Sequence, residues 1–146
     1  MKTLSVALLL ALCVTAAVQA QVVPSSYTPI NPCTFFDSTS GSQLTAGTTY
    51  YDLIRGSCGV PTSANAVAII ITASGASSAG DIVVWDAGTE PSPASMAFRG
   101  SGTDSSFLIA RLCYPEPECT GEDIAVKART SSTHVKLVVV GYFEPI

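Results

Sequence analysis

From residue 33 to its end the chain alternates between apolar runs of strand length and clusters of turn-forming residues: "STSGS", "GSCGVPTSAN", "SGASSAG", "DAGTEPSPAS" and "GSGTDS". No stretch keeps the i, i+3, i+4, i+7 stripe of an amphipathic helix. Short strands at this spacing, punctuated by Gly, Pro, Ser and Asp, predict an all-β fold: a two-layer antiparallel β-sandwich of about eight strands. The expected strands cover residues 34–37, 48–54, 66–72, 81–85, 96–99, 106–112, 123–129 and 133–143. Charged residues make up only 12% of the chain, which fits, because exposed helix faces would bring more Lys and Glu.

Two of these runs are apolar on both faces. In "AVAIIITA", Val67, Ile69 and Ile71 alternate with Ala66, Ala68 and Ile70. In the closing "THVKLVVVGYFEPI", strict alternation sets Val135, Leu137 and Val139 against Val138, Val140 and Tyr142. A strand in a two-layer sandwich turns only one face to the core, so the other face needs a cover or is an exposed patch. The cover is either a long loop, such as the Pro-rich one after Trp85, or a partner. An apolar C-terminus stays ordered only when tied into a sheet, so the last strand is expected to pair on both sides.

The first twenty residues, "MKTLSVALLLALCVTAAVQA", read as a secretory signal peptide: Lys2, an apolar run, then small residues before Ala20. A lipid-attachment reading at Cys13 is disfavoured by the bulk of Leu12 just before it. Residues 21–32, "QVVPSSYTPINP", are polar and proline-punctuated and are expected to form an extended arm ahead of a single domain at 33–146. No other run has the ~20 apolar residues of a membrane helix, so no membrane insertion is expected.

Without residues 1–20 the chain has six Lys and Arg against eleven Asp and Glu, a formal charge of −5. Nucleic acid is excluded as a partner, since its binding rests on clustered Lys and Arg. The remaining cysteines, Cys33, Cys58, Cys113 and Cys119, form an even set, which in a secreted chain reads as two disulfides with three possible connectivities. Cys113 and Cys119 flank the stiff "YPEPE", so a local bridge there is the cheapest pairing and leaves Cys33 for Cys58. Zinc is disfavoured by the spacings and by a single histidine, His134.

Catalytic arrangements are poorly served. His134 opens an apolar strand and no G-x-S-x-G elbow accompanies it. The carboxylate pairs Asp81 with Asp86 and Glu116 with Glu118 lie on opposite strand faces or on a short loop, not across a cleft. Oxygen ligands for calcium cluster weakly at "DSTSGS" and around Asp104, where turn chemistry already accounts for Asp, Ser and Gly. Tyr50, Tyr51 and Trp85 are candidates for a sugar-stacking platform, with at most one of the adjacent tyrosines able to share a face with Trp85. The competing reading places Trp85 in the core.

The stretches "PCTFFDST", "CGVP", "ANAVAIIITA", "GDIVVWDAGTEPSPAS" and "VVVGYF" follow one another in an order that resembles a β-rich module of secreted bacterial proteins. Copies of that module open on P-C-R-x-x-D-T-R, carry C-G-V-P, and close on V-x-G-Y-F. The chain departs from it at Thr34 and Ser40, where arginines are usual, and at Ile70, where asparagine is common. The resemblance implies an accessory extracellular role, carries no catalytic residue across, and supports the Cys33–Cys58 pairing. The expected function is a non-catalytic interaction or structural module, secreted or at the cell surface, without metal or cofactor. Its expected partners are a second copy or another extracellular protein, through a sheet edge, the arm, or a surface carrying Val138, Val140 and Tyr142. A carbohydrate-binding module is the alternative.

Overall fold

Eight strands form where the apolar runs lie, and no helix intervenes among the described residues. In the computed structural model, which describes residues 24–113 and 121–146, they are β1 (Ser25–Asp37), β2 (Thr49–Asp52), β3 (Ala66–Ser74), β4 (Gly80–Trp85), β5 (Met96–Phe98), β6 (Thr103–Arg111), β7 (Ile124–Ala128) and β8 (His134–Pro145). They build two four-stranded sheets, ordered β1-β8-β3-β6 and β2-β7-β4-β5, with every neighbouring pair antiparallel. Period-2 patterning decides which side chains lie between the sheets. Val67, Ile69 and Ile71 of β3 and Val135, Leu137 and Val139 of β8 meet Ile82, Val84, Ile124 and Val126 from the second sheet. The expected signal segment, residues 1–20, lies outside the described residues.

The C-terminal strand is ordered because it is central: β8 pairs with β1 on one side and β3 on the other. Its alternation is broken once. Ala68 pairs with Gly141 and Ile69 with Val139, so Val140 is an extra residue, a β-bulge. The bulge reverses the faces beyond it. Tyr142, read from strict alternation as a neighbour of Val138 and Val140, is opposite Val67 and packs partly against the core.

The arm is the other departure from the sequence reading. Ser25 to Pro29 continue β1 and pair with Pro145 to Gly141 of the same chain. Local pattern does not favour this segment as a strand; its docking site does. Gly141 leaves a gap that a Cβ would fill by overlapping the Tyr27 ring, so the ring lies across the glycine. It also stacks obliquely on Phe143, 5.1 Å between centroids, and its hydroxyl donates to the Val140 carbonyl at 3.3 Å. Pro29 and Pro32 are tolerated because β1 is an edge strand and the ladder is interrupted between Pro29 and Cys33.

Cys33 and Cys58 are disulfide-bonded, with Cα atoms 5.6 Å apart, joining β1 to the turn after β2. That turn is closed by backbone hydrogen bonds from Gly56 to Val60 and from Val60 to Ser57, and Cys58 and Gly59 both adopt positive φ. The bridge spans a sequence separation of 25. Replacing both cysteines by serine is therefore expected to cost about 3 kcal/mol, mainly by freeing the unfolded chain. Urea unfolding of the double variant checks this, and an unchanged midpoint would contradict it. Cys113 is also disulfide-bonded, and its expected partner Cys119 lies outside the described residues.

Candidate functional site

The two sheets treat their outward faces differently. On the second sheet, Tyr51, Ala125 and Trp85 form one cross-strand row, next to Thr49, Lys127 and Val83. The loop after β4 lies against this face. Glu90 accepts from Lys127 Nζ and Arg129 Nε, both at 2.9 Å, and Arg129 also donates to the carbonyls of Pro91 and Ser92. These bonds hold the Glu90 carboxyl below its usual range, with the Lys127 hydrogen bond the largest cause. Trp85 is only 7% exposed, packs with Val83, Ala87, Cys113 and Ala125, and donates Nε1–H to the Gly88 carbonyl at 2.9 Å.

The first sheet has no such loop among the described residues. Its outward rows can be read directly from the register. One row runs Thr34, Val138, Ile70, Phe107; the next runs Pro29, Gly141, Ala68, Ile109, with Val140 bulged beside Gly141; the third runs Tyr27, Phe143, Ala66, Arg111. Phe107 is 59% exposed, Ile109 57%, Tyr27 48% and Ile70 38%. The aromatic ones carry roughly 150–250 Å² each when fully open, so with the isoleucines the exposed apolar area comes to roughly several hundred Å². A patch of that order matches the largest apolar patch on a typical monomer, which is often functional. Toward the other end the face turns polar: Thr72 bonds Ser105 at 3.0 Å, and Lys136 lies 3.8 Å from Asp37.

The sequence-selected residues therefore separate. Val138 and Val140 are half-buried members of the open face, while Tyr142 points inward. Tyr50 packs on the core, its hydroxyl oxygen accepting from Thr45 N–H at 3.2 Å. Tyr51 does share a face with Trp85, but it is exposed while the tryptophan is covered, so the two present no common platform. Phe107, Ile109 and Tyr27 were not selected from sequence. The signal for the first two was present, since "SFLIARL" is also apolar at both parities; Tyr27 carried none.

The candidate chemical groups are engaged in local structure. The His134 ring Nδ1 sits 2.8 Å from the Ser38 carbonyl. Asp81 accepts from the Thr130 hydroxyl and pairs with Arg129, while Asp86 accepts from Gly88 N–H. At the first calcium-like turn, the Thr39 hydroxyl and N–H hold the Asp37 carboxyl below its usual value, with Lys136 adding to the shift. At the second, the Arg99 guanidinium does the same for Asp104. No group of three or more metal-ligating side chains occurs among the described residues. Glu116 and Glu118 lie outside them. No helix among the described residues is long and apolar enough to cross a membrane. The Cys33–Cys58 bridge is compatible with an oxidising, extracellular setting. No family model, curated protein or solved structure matches the chain.

Proposed function

We propose that this protein is a non-catalytic extracellular interaction module whose contact surface is the outward face of the β1-β8-β3-β6 sheet. The single observation that carries this reading is the exposure of Phe107, Ile109, Tyr27 and Ile70 on one face, while the loop after β4 roofs the part of the other sheet's outward face around Trp85 and Lys127. The signal-like start, the disulfide and the likeness to secreted accessory modules support the location. The engagement of His134, Asp81 and Asp86 in local hydrogen bonds supports a role without chemistry.

Hydroxyl-radical footprinting of the secreted protein in its native extracellular setting tests this. Tyr51 is 52% exposed on the opposite side and serves as an internal standard. Tyr27 and Phe107 should be labelled several-fold less than Tyr51 relative to reference rates for the free side chains. Equal relative labelling of all three means that nothing covers the face, and the proposal fails.

A further inference from the structure

We infer that the occupant of this face is a second copy of the same chain, packed sheet against sheet. This rests on the reading above and adds the identity of the partner.

Charge is the first argument. The chain carries a net charge of −4 in full, and −5 without its first twenty residues, so two copies repel over most of their surface. The outward positions of the first sheet carry almost none of that charge. Among them only Asp37, Lys136 and Arg111 are charged, and Asp37 and Lys136 are 3.8 Å apart and offset each other. The face is thus neutral to slightly positive on an acidic molecule. Two like copies can approach through it without the repulsion that the acidic remainder would impose. A basic partner, by contrast, would be drawn to the acidic remainder and not here.

Area is the second. The face is four strands wide and follows the nine residues of β3. At about 3.3 Å per residue and about 4.8 Å between strands it measures roughly 30 by 19 Å, on the order of 570 Å². Two such faces bury roughly 1,100 Å² together, just past the ~1,000 Å² that a specific interface requires. Twisted sheets stack face to face about 10 Å apart with strands within about 30° of alignment, so no edge pairing is needed. An isologous pair also closes on itself, leaving no apolar face open for further growth. Carbohydrate does not offer a competing cover through N-linkage: the two asparagines, Asn31 and Asn65, are followed by Pro32-Cys33 and Ala66-Val67, neither of which is an acceptor sequence.

The test is the solution mass of the purified mature protein, by light scattering over a dilution series, alone and with Phe107→Lys and Ile109→Lys combined. The expected result is a dimer that the double substitution converts to a monomer that still unfolds cooperatively in urea, with a midpoint matching that of the unsubstituted chain diluted to its monomeric range. Both side chains are exposed, so the fold should tolerate them, and Tyr51→Lys should leave the dimer intact. A monomer at every concentration overturns the inference. So does a dimer indifferent to the two lysines, which would be held by another surface. If the protein is monomeric while Tyr27 and Phe107 remain protected in the native setting, the second copy is wrong and the contact face survives with a different partner. If neither mass nor protection is seen, both fall.

Discussion

Replacing Asp123 by alanine is expected to destabilise the protein by about 3–5 kcal/mol, the usual consequence of removing one partner from a buried ion pair. Asp123 is 5% exposed at the entry to β7. One carboxylate oxygen accepts from the backbone N–H groups of Ile54 and Arg55, at 2.9 and 2.7 Å, and the other pairs with Arg55 Nη1. The guanidinium is committed further, donating to the carbonyls of Ala64 and Cys113. Its Nη2 is buried with no hydrogen-bond partner among the described residues. Alanine at 123 would add an uncompensated charge and two orphaned N–H groups. The same contacts fix the start of the turn that presents Cys58 to Cys33, so the loss should spread to that turn.

A neighbouring carboxyl offsets part of this. Asp52 is raised above its usual value, first by its own burial and also by the negative charge of Asp123, against a hydrogen bond from Leu53 N–H. A carboxyl with a raised folded pKa opposes folding when ionised, so that penalty is present above its folded pKa and disappears as the pH falls through it. Removing Asp123 relieves some of the penalty at neutral pH. Urea unfolding should show a lower midpoint with an unchanged slope. A loss below about 1 kcal/mol would mean that the pair contributes as little as an exposed one. Asp123→Asn, which keeps the acceptor oxygen, should lose less.

Asp123 was not legible in the sequence, and the reason is physical. An aspartate just ahead of a strand reads as turn chemistry, and its partner Arg55 lies in a different turn, brought close only when β2 pairs with β7. Elements defined by local pattern were legible: each of the eight strands overlaps an expected run, and the breakers between them hold the turns. What failed was strict period. One extra residue at Val140 turns Tyr142 inward and gives Gly141 and Phe143 to the open face. The pairing of the extended arm was not legible for a related reason. Residues 25–29 have no strand pattern of their own and are ordered by a gap above Gly141 that no local rule announces. The open face itself was half legible, because apolar residues at both parities in "AVAIIITA" and "VKLVVV" indicate a second buried or covered surface. Which sheet a loop would roof depended on the contacts of Glu90, Lys127 and Arg129, which are long-range.

Trp85→Ala is expected to cost about 3–5 kcal/mol, as large-to-small changes at buried aromatics do. The indole fills the space between the outward face of the second sheet and the loop after β4, against Val83, Ala87, Cys113 and Ala125. Its removal would leave a cavity under that loop and free the Gly88 carbonyl that Nε1–H now satisfies. The Glu90 bonds to Lys127 and Arg129 would then hold a loop with nothing beneath it. The same substitution discriminates between functions. A sugar-stacking tryptophan would be open to solvent, its loss would weaken retention on polysaccharide, and the fold would melt nearly as before. A core tryptophan gives the opposite result on each count. As the chain has one tryptophan, its fluorescence reports on this residue alone: the emission should be blue-shifted in the native protein, indifferent to added glycans, and move to the red only with unfolding. Phe107→Lys provides the contrast. It lies on the open face of the other sheet, so measured on the dilute monomer, where Phe107 is 59% exposed, it should change stability by about 0.5 kcal/mol or less, as ordinary surface substitutions do. A Trp85→Ala protein that keeps its stability and loses polysaccharide retention would transfer the binding function to the second sheet.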